Sequence, residues 1–166
     1  MTFVMRAATA ADHPAILALN LASESLLSPM DAARLAQLDT QAAYHRVAVD
    51  ADAEGHVAAF LLAFCDGADY DSVNYRWFAQ RYDSFLYVDR VAVSDAHQGR
   101  GLGAALYADL FAFAREQGIP RVVCEYYSVP LNAGSQRFHA RQGFTEVGTQ
   151  WLPEGRKQVS FQLAPV

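Results

Sequence analysis

Three glycines, a glutamine and an arginine lie within six consecutive residues near the middle of the chain, in the stretch QGRGLG at 98–103. A valine-rich run precedes this stretch, and a long apolar run follows it. Glycines leave backbone N–H groups open to close approach, and a helix that begins at such a turn presents partial positive charge there. Arg100 adds a charged donor and Gln98 a neutral one. These residue types in this order indicate a loop that binds a phosphate group.

Two other nucleotide-binding motifs fit this loop less well. The letters GRGLGA also satisfy the dinucleotide fingerprint G-x-G-x-x-A, and Glu125 lies about where its ribose-binding acid is expected. That fingerprint follows its strand directly and needs successive strand–helix units, whereas residues 94–98 separate this loop from its strand. A nicotinamide-dependent enzyme is therefore the weakest of the functional hypotheses. A Walker phosphate loop is excluded because Gly-Lys-Ser/Thr does not occur.

The hydrophobic pattern predicts a mixed α/β fold around the loop. Strands are predicted at 2–7, 44–49, 57–65, 85–93, 121–129, 144–151 and 157–163, and the clearest helices at 102–117 and 133–142. Hairpins on both flanks imply antiparallel pairs, whereas the crossover helix between the fourth and fifth strands makes those two parallel neighbours. We therefore expect one domain, 1–166, with a mixed twisted sheet of about seven strands and helices on both faces.

Helix-start signals occur twice before residue 40. Residues 9–12 resemble a capping box, with the Asp12 carboxylate three residues after the Thr9 hydroxyl. Ser28-Pro29 has the pattern of an N-cap followed by proline in the first helical turn, which predicts a second helix from Met30.

Composition narrows the function classes. The 166 residues carry a formal net charge of −5, which disfavours a general nucleic-acid binder. No apolar run approaches a membrane span and the first residues lack a signal-peptide pattern, so we expect a cytoplasmic protein that binds neither nucleic acid nor membrane. Cys65 and Cys124 lie in apolar, strand-like runs and are expected to be reduced core residues. The histidines show no ligand spacing, so no metal site is predicted.

The run Q-x-x-G-x-G, formed by Gln98, Gly101 and Gly103 beyond a Val-x-Val strand end, resembles the pyrophosphate loop of the GNAT superfamily of N-acetyltransferases. The stretch NAGSQRFHARQGF at 132–144 is similar to the family's asparagine-led helix and closing Gly-Phe. The resemblance is specific over 85–144 and looser before it. It implies a sheet that splays between the central parallel strands, with acetyl-CoA as a cosubstrate in the gap.

The resemblance also implies which residues bind acetyl-CoA. The glycine loop would bind the pyrophosphate, and Asn132 would hydrogen-bond the pantetheine side. Backbone groups of Val91 and Val93 would pair with the pantetheine arm, with the amide of Val91 facing the thioester oxygen. The cofactor-binding residues expected on this basis are Val91, Ala92, Val93, Gln98, Gly99, Arg100, Gly101, Leu102, Gly103, Ala104 and Asn132.

Acetyl transfer to an amine needs donors for a tetrahedral oxyanion, a base for the amine proton and an acid for the leaving thiolate. Where the family is expected to carry a tyrosine acid, this sequence has His139, which either serves the leaving sulfur or only lines the cleft. The candidate bases are Asp89 and Glu125, since a carboxylate in an apolar strand is costly without a role or a partner.

The strand FLYVDRVAV leaves the role of Asp89 open. Tyr87, Asp89, Val91 and Val93 are expected to share one face of this strand if no bulge intervenes. A base at Asp89 would then lie beside the thioester. The alternative for Asp89 is a buried ion pair with an arginine.

The segment 66–84 is rich in aromatic and acidic residues. One interpretation is a cation-binding box formed by Tyr70, Tyr75, Trp77, Phe78 and Tyr82, with charge from Asp69, Asp71 or Asp83. The other is that the aromatic rings pack this segment onto the sheet.

We therefore expect an acetyl-CoA-dependent N-acetyltransferase that acts on a primary amine of a small molecule or amino-acid-like acceptor by direct attack in a ternary complex. The alternative from a different class is a non-catalytic acyl-CoA-binding regulatory domain. The sequence does not establish the oligomeric state, and a homodimer is one of the possibilities.

Overall fold

Seven strands form one sheet in the computed structural model, which describes residues 2–166. They are β1 (Phe3–Ala7), β2 (Tyr44–Asp50), β3 (His56–Cys65), β4 (Leu86–Val93), β5 (Arg121–Val129), β6 (Thr145–Trp151) and β7 (Gln158–Pro165). Their order across the sheet is β1-β2-β3-β4-β5-β7-β6, and only β4 and β5 are parallel. The predicted mixed sheet of seven strands is confirmed.

Helices cover both faces of this sheet, as predicted. One face is covered by α1 (His13–Ala22), α2 (Ala32–Gln41) and α3 (Val73–Ala79), and the other by α4 (Leu102–Glu116) and α5 (Ala133–Arg141). The apolar spacing of each helix explains the face that it buries. On the first face Ile16 and Leu35 are fully buried, and on the second face Leu106 and Leu110 are fully buried.

The predicted start of the second helix is wrong. α2 begins at Ala32, because the Asp31 side chain accepts a hydrogen bond from the backbone N–H of Arg34 at 2.7 Å. An aspartate caps a helix as well as a serine does, and here it lies in extended backbone. The carbonyl of Ser28 instead accepts a hydrogen bond from the buried Arg90 at 3.1 Å. The capping box at residues 9–12 is present, but it opens a single 3-10 turn ahead of α1.

The parallel strands β4 and β5 pair over only two residues each, Leu86 with Val122 and Tyr87 with Val123. Beyond this point β4 continues beside β3 and β5 continues beside β7, without further pairing to each other. The two strands therefore diverge and leave a gap at their C-terminal ends. The predicted splayed central pair is confirmed.

A bulge in β4 overturns the expectation that Tyr87, Asp89, Val91 and Val93 share one face. Leu62 of β3 pairs with Arg90 and the next residue, Ala63, pairs with Val88, so Asp89 is the extra residue. Tyr87 and Asp89 lie on the face covered by α1–α3, whereas Val91 and Val93 pack on the face covered by α4.

The single parallel pair also weighs against a nicotinamide-binding fold. Such folds bind the dinucleotide across successive parallel strand–helix–strand units. Every other strand pair formed by residues 2–166 is antiparallel. The similarity of the loop to a dinucleotide fingerprint therefore lacks its structural context.

Three further expectations concern thiols, membranes and metals. Cys65 and Cys124 are free thiols, half-buried and buried respectively, as predicted. None of the helices that the structure describes is long and apolar enough to cross a bilayer. Within residues 2–166, no group of three or more histidine, cysteine or acidic side chains is arranged to hold a metal ion.

Gly148 of β6 is in close contact with Trp77 of α3. The Trp77 ring stacks on Phe161 of β7, with centroids 4.1 Å apart, and its edge lies where a Cβ atom of residue 148 would be. The indole is held on its other side by the Arg81 guanidinium, 3.9 Å from the ring centroid. Trp77 therefore has little room to move away from this position.

We expect Gly148→Ala to lower the free energy of unfolding by about 1–3 kcal/mol, because the added methyl group forces Trp77 out of its packed position. Urea denaturation measures this change. Gly134→Ala in α5 is the matched control, since its Cβ would meet its nearest neighbour at an ordinary 3.7 Å. Equal free energies of unfolding for the two variants would contradict the packing described here.

Candidate active site

A cleft of about 860 Å³ occupies the gap between β4 and β5. It extends from the glycine loop, past the point where the strands separate, to the connection between α1 and α2. Ten of the eleven predicted cofactor-binding residues line this cleft. The exception is Arg100, which lies on the exposed side of the loop.

The glycine loop is open to solvent and ends at the first turn of α4. Gly99 and Gly101 have φ angles of +74° and +77°, a backbone conformation that other residues rarely adopt. The backbone N–H of Ala105 donates to the carbonyl of Gly101 at 2.9 Å, so the amides before Ala105 have no acceptor within the helix. The loop thus presents N–H donors without helical acceptors at a positive helix end that lines the cleft, which suits an anion.

The third glycine of the loop serves packing. Phe138 of α5 lies 3.4 Å from the position that a Cβ of Gly103 would occupy. Gly103 therefore lets α5 approach the first turn of α4, where both helices line the cleft.

The edge of β4 that faces the gap carries the backbone groups of Val91 and Val93. The N–H of Ser94 donates to the carbonyl of Ala58 in β3 at 2.8 Å. Because hydrogen-bonding direction alternates along a strand, the N–H and C=O groups of Val93 and Val91 point away from β3 and toward β5. No strand within residues 2–166 pairs with them there, so an extended ligand can pair with this edge.

Asn132 is fixed at the opposite wall of the cleft. Its Oδ1 accepts a hydrogen bond from the N–H of Ser135 at 3.1 Å and caps α5. Its own N–H donates to the carbonyl of Tyr127 at 2.9 Å. The side chain is therefore held where β5 ends and α5 begins.

Glu125 lies two residues past the last β4–β5 pair, on the face covered by α1–α3. Its Oε1 accepts hydrogen bonds from the Tyr87 hydroxyl at 2.8 Å and from Nδ2 of Asn74 at 3.1 Å. Its Oε2 is buried and has no partner among the residues that the structure describes. Burial raises the pKa of Glu125 to about 8, against the partial effect of the Tyr87 hydrogen bond. This carboxyl can therefore gain and lose a proton near neutral pH.

Asp89, the other candidate base, is held in a buried ion pair. Its Oδ2 accepts from Nε of Arg90 at 2.7 Å and its Oδ1 accepts from the Tyr70 hydroxyl. Arg90 also donates to Oδ1 of Asn20 in α1 at 3.0 Å. Both oxygens of the Asp89 carboxylate are thus engaged, as the ion-pair alternative predicted. The partner is the neighbouring residue Arg90, because the bulge turns both side chains toward α1.

His139 is buried in the wall formed by α4 and α5. Its Nε2 lies 2.8 Å from the hydroxyl of Tyr107, and its Nδ1 lies 2.8 Å from the carbonyl of Ser135 and 3.0 Å from that residue's hydroxyl. Its ring is nearly parallel to that of Tyr126, with centroids 5.8 Å apart. Burial lowers the pKa of His139, so its neutral form predominates at pH 7.

The aromatic residues of segment 66–84 do not form a cation-binding box at the cleft. Tyr75, Trp77 and Phe78 are buried in the core instead. Tyr70 lines the cleft, but Arg34 covers its ring at 5.5 Å and also pairs with Asp71. The packing interpretation of this segment is therefore the correct one.

Two residues of the site were missed by the sequence reasoning. Tyr107 lies four residues after Gly103 and so on the same face of α4, a spacing that could have pointed to it. Asn74 carries no such signal, because only the fold brings α3 against β5. Its Oδ1 is the second buried acceptor at the cleft without a partner among the described residues.

Comparisons with known proteins agree with this geometry. The chain matches the Acetyltransferase (GNAT) family over residues 15–144. It is 34% identical over 67 residues to N-acetyltransferase 8F1 of Rattus norvegicus, a match that covers 40% of this chain and only 29% of that protein.

Two solved structures share the fold over nearly their whole length. The ribosomal-protein-S18-alanine N-acetyltransferase from Escherichia coli superposes with a TM-score of 0.74 at 16% identity, covering 99% of this chain and 94% of that one. The NatC complex bound to Gag peptide and CoA superposes with a TM-score of 0.78 at 12% identity, covering 100% and 99%. Since the family match spans most of its length, the chain belongs to the GNAT family of acetyltransferases.

The buried Glu125 carboxyl makes stability depend on pH. Its pKa is about 8 in the folded protein and 4.5 in an exposed chain, so folding favours the protonated form. This contribution is present below about pH 4.5 and is lost as the pH rises through about 8. In Glu125→Gln the amide has nearly the same shape as the carboxyl group that it replaces, but it does not titrate.

We therefore expect the melting temperature of Glu125→Gln to rise relative to that of the original protein between pH 5 and pH 9. Thermal unfolding followed by circular dichroism at a series of pH values measures this. Glu116→Gln, which alters an exposed carboxylate at the end of α4, is the control. A difference in melting temperature that is the same at every pH would show that Glu125 is not held in a protonated form.

Proposed function

We propose that this chain is an acetyl-CoA-dependent N-acetyltransferase that transfers an acetyl group to a primary amine by direct attack in a ternary complex. The observation that carries the proposal is the position of Glu125, a carboxyl with a pKa near 8 at the point where β4 and β5 separate. A base that titrates near neutral pH is suited to remove a proton from an amine as it attacks.

The proposed binding of acetyl-CoA, the acetyl donor, depends on the glycine loop and the free edge of β4. The amides before Ala105 would bind the pyrophosphate of acetyl-CoA. The backbone groups of Val91 and Val93 would bind the pantetheine arm as an added strand, with Asn132 at the opposite wall. The N–H of Val91 would then donate to the thioester oxygen as it becomes an oxyanion.

The proposed site for the amine that accepts the acetyl group depends on two buried oxygens that receive no hydrogen bond from the described residues. Oε2 of Glu125 and Oδ1 of Asn74 have no hydrogen-bond partner within residues 2–166, and the two side chains are joined by a 3.1 Å hydrogen bond. An unpaired buried acceptor is costly, so a ligand with N–H groups is favoured there. A protonated primary amine offers three such donors and matches the negative charge of an ionised Glu125.

Asp89 is a positioning residue in this scheme. Its ion pair with Arg90 fixes the bulge in β4, and its bond from Tyr70 fixes a ring at the cleft wall. The charge of Asp89 is already matched by Arg90, so Glu125 is the better base. His139, the third predicted catalytic residue, serves the leaving-group side of the gap.

The acceptor end of the cleft is lined by both apolar and aromatic side chains. They include Leu26, Leu27, Tyr127, Leu152 and Val159. This lining favours an amine attached to an apolar or aromatic body, as in a small molecule or an amino-acid-like acceptor. The names of the solved relatives point to protein and peptide acceptors in those proteins, so peptides belong in the same test.

A binding domain without catalysis would gain nothing from the Glu125 site. Holding a carboxyl in a buried position with one oxygen unpaired lowers stability, and binding the phosphates of acetyl-CoA does not require it. Enzymatic transfer therefore accounts for Glu125 better than the regulatory alternative does.

The function is tested by following the release of free CoA thiol from acetyl-CoA in the presence of small primary amines, amino-acid derivatives and short peptides. We expect release with primary amines and a rate that rises with pH up to about 8, as Glu125 loses its proton. Glu125→Gln should lower kcat by about 10²-fold and abolish this pH dependence. Thiol release that no amine or peptide accelerates would overturn the proposal, and Glu116→Gln is the control for the variant.

The donor site is tested by Gly101→Ala. A Cβ at a φ of +77° strains the loop, so we expect the affinity for CoA to fall at least about 10-fold by calorimetry. Gly118→Ala at the far end of α4 introduces the same strain at a φ of +69° and should leave CoA affinity unchanged. If both variants bind CoA as the original protein does, the pyrophosphate does not lie in this loop.

A further inference from the structure

The phenol that the GNAT resemblance leads one to expect at position 139 is absent, and another phenol lies beside the histidine found there. The hydroxyl of Tyr107 in α4 is 2.8 Å from Nε2 of His139. Tyr107, Cys124 and His139 all line the cleft, and Cys124 follows directly on the last β4–β5 pair. The Tyr107 hydroxyl also hydrogen-bonds with the Cys124 thiol, so it lies close to the point where the strands separate.

Tyr107 and Glu125 approach this point from opposite faces of the sheet. Tyr107 belongs to the core under α4 and α5, as does Cys124, whereas Glu125 bonds to Tyr87 and to Asn74 of α3 on the other face. Successive residues of a strand alternate between faces, which places Cys124 and Glu125 on opposite sides of β5. A thioester in the gap would have the base on one side and the phenol on the other.

The hydrogen bonds around His139 can run in two directions. The first fits the 2.8 Å contact between Nδ1 and the Ser135 carbonyl, whereas the second requires this contact to lengthen, because an unprotonated Nδ1 and a carbonyl oxygen are both acceptors. In the first, Nδ1–H donates to the carbonyl of Ser135 and the Tyr107 hydroxyl donates to Nε2. In the second, the Ser135 hydroxyl donates to Nδ1 and Nε2–H donates to the oxygen of Tyr107. The second direction frees the hydroxyl hydrogen of Tyr107 to point into the gap.

We propose that Tyr107 is the group that protonates the leaving thiolate, and that His139 and Ser135 resupply its proton. This inference rests on the proposed acetyl transfer. Tyr107 replaces the phenol missing from position 139, and His139 is a positioning residue that acts through it.

The proton transfer balances through water and the amine proton. As the carbon–sulfur bond breaks, the sulfur takes the hydroxyl proton of Tyr107, and Tyr107 takes the proton from Nε2 of His139. Nδ1 takes the hydroxyl proton of Ser135, and Ser135, which is half-buried at the cleft, recovers a proton from water. The hydroxide left by that water is neutralised by the proton that Glu125 takes from the amine and releases to solvent. The step converts the second hydrogen-bond direction into the first, and no charged imidazole forms.

The protonation states of the resting protein suit this transfer. Burial raises the pKa of Tyr107 well above its ordinary value and lowers the pKa of His139, so both groups are neutral at pH 7. A lone buried imidazole would be a poor proton donor at that pH. A neutral chain of hydroxyl, imidazole and phenol has no such limit, because each member gains a proton as it gives one.

The test compares Tyr107→Phe with Tyr44→Phe. Tyr44 is also a buried tyrosine whose hydroxyl contacts α4, at 2.6 Å from Asp109, but it does not line the cleft. We expect Tyr107→Phe to lower kcat by about 10²-fold, with CoA affinity unchanged and the solvent deuterium isotope effect on single-turnover transfer reduced. Tyr44→Phe should retain kcat and the isotope effect, whatever its melting temperature.

A double-mutant cycle with His139→Phe tests whether His139 acts through Tyr107. Because the two residues form one relay, the double variant should be no slower than Tyr107→Phe alone. Full activity in Tyr107→Phe together with a loss in His139→Phe would overturn the proposal and make the imidazole itself the donor. If the fold-reduction in kcat of the double variant were the product of the two single reductions, the residues would act independently, which would also contradict a relay.

Variants that fold poorly are identified by CoA binding and thermal unfolding. In that case Ser135→Ala, which removes only the hydroxyl of the relay, should lower kcat while CoA affinity is kept. Unchanged kcat in Ser135→Ala would overturn resupply through Ser135. Absence of transfer by the original protein would reject the proposed function, whereas transfer that survives in Tyr107→Phe rejects only the relay.

Discussion

The structure depends on the point at which β4 and β5 stop pairing. Two residues of each strand are in register, and after Tyr87 and Val123 each strand keeps only its outer neighbour. A bulge bends and twists the strand that carries it, and here the bulge falls two residues beyond the last parallel pair. The buried pair of Asp89 and Arg90 holds this bend, with Arg90 tied in turn to Asn20 of α1. Loss of one partner of such a pair costs about 3–5 kcal/mol, because it leaves the other charge buried without a partner at the bend.

Different functional groups lie on the two faces of the sheet beside the gap. On one face burial raises the pKa of Glu125 to about 8, and Oε2 of Glu125 and Oδ1 of Asn74 are buried without a partner among residues 2–166. On the other face neutral hydroxyl and imidazole groups of Tyr107 and His139 lie between α4 and α5. A reaction that removes a proton from one reactant and supplies one to the leaving group is served by this arrangement, because the base and the acid each lie on the side of the gap where they act.

The sequence predicted the fold and the glycine-loop end of the cleft better than the surroundings of Glu125. The glycine loop and the parallel pair were predictable because each depends on neighbours within about thirty residues, through turn geometry and a crossover helix. The faces of Val91 and Val93 relative to Asp89 were mispredicted, since the one-residue bulge at Asp89 is invisible in an alternating pattern and reverses the side chains that follow it. Asn74 joins the site through packing between distant segments, which no local pattern records, whereas the spacing of Tyr107 from Gly103 on α4 could have pointed to it. The start of α2 was mispredicted for a smaller reason, because two capping residues, Ser28 and Asp31, competed within four positions.

The most direct test of this account is the crystal structure of the protein with acetyl-CoA and an unreactive analogue of an accepted amine. The account predicts the pyrophosphate on the amides before Ala105, the pantetheine arm along Val91 and Val93, and the sulfur in the gap within hydrogen-bonding reach of the Tyr107 hydroxyl. The amine nitrogen should lie beside Oε2 of Glu125. Pantetheine bound outside the β4–β5 gap, or an amine nitrogen on the α4–α5 side of the sulfur, would contradict it.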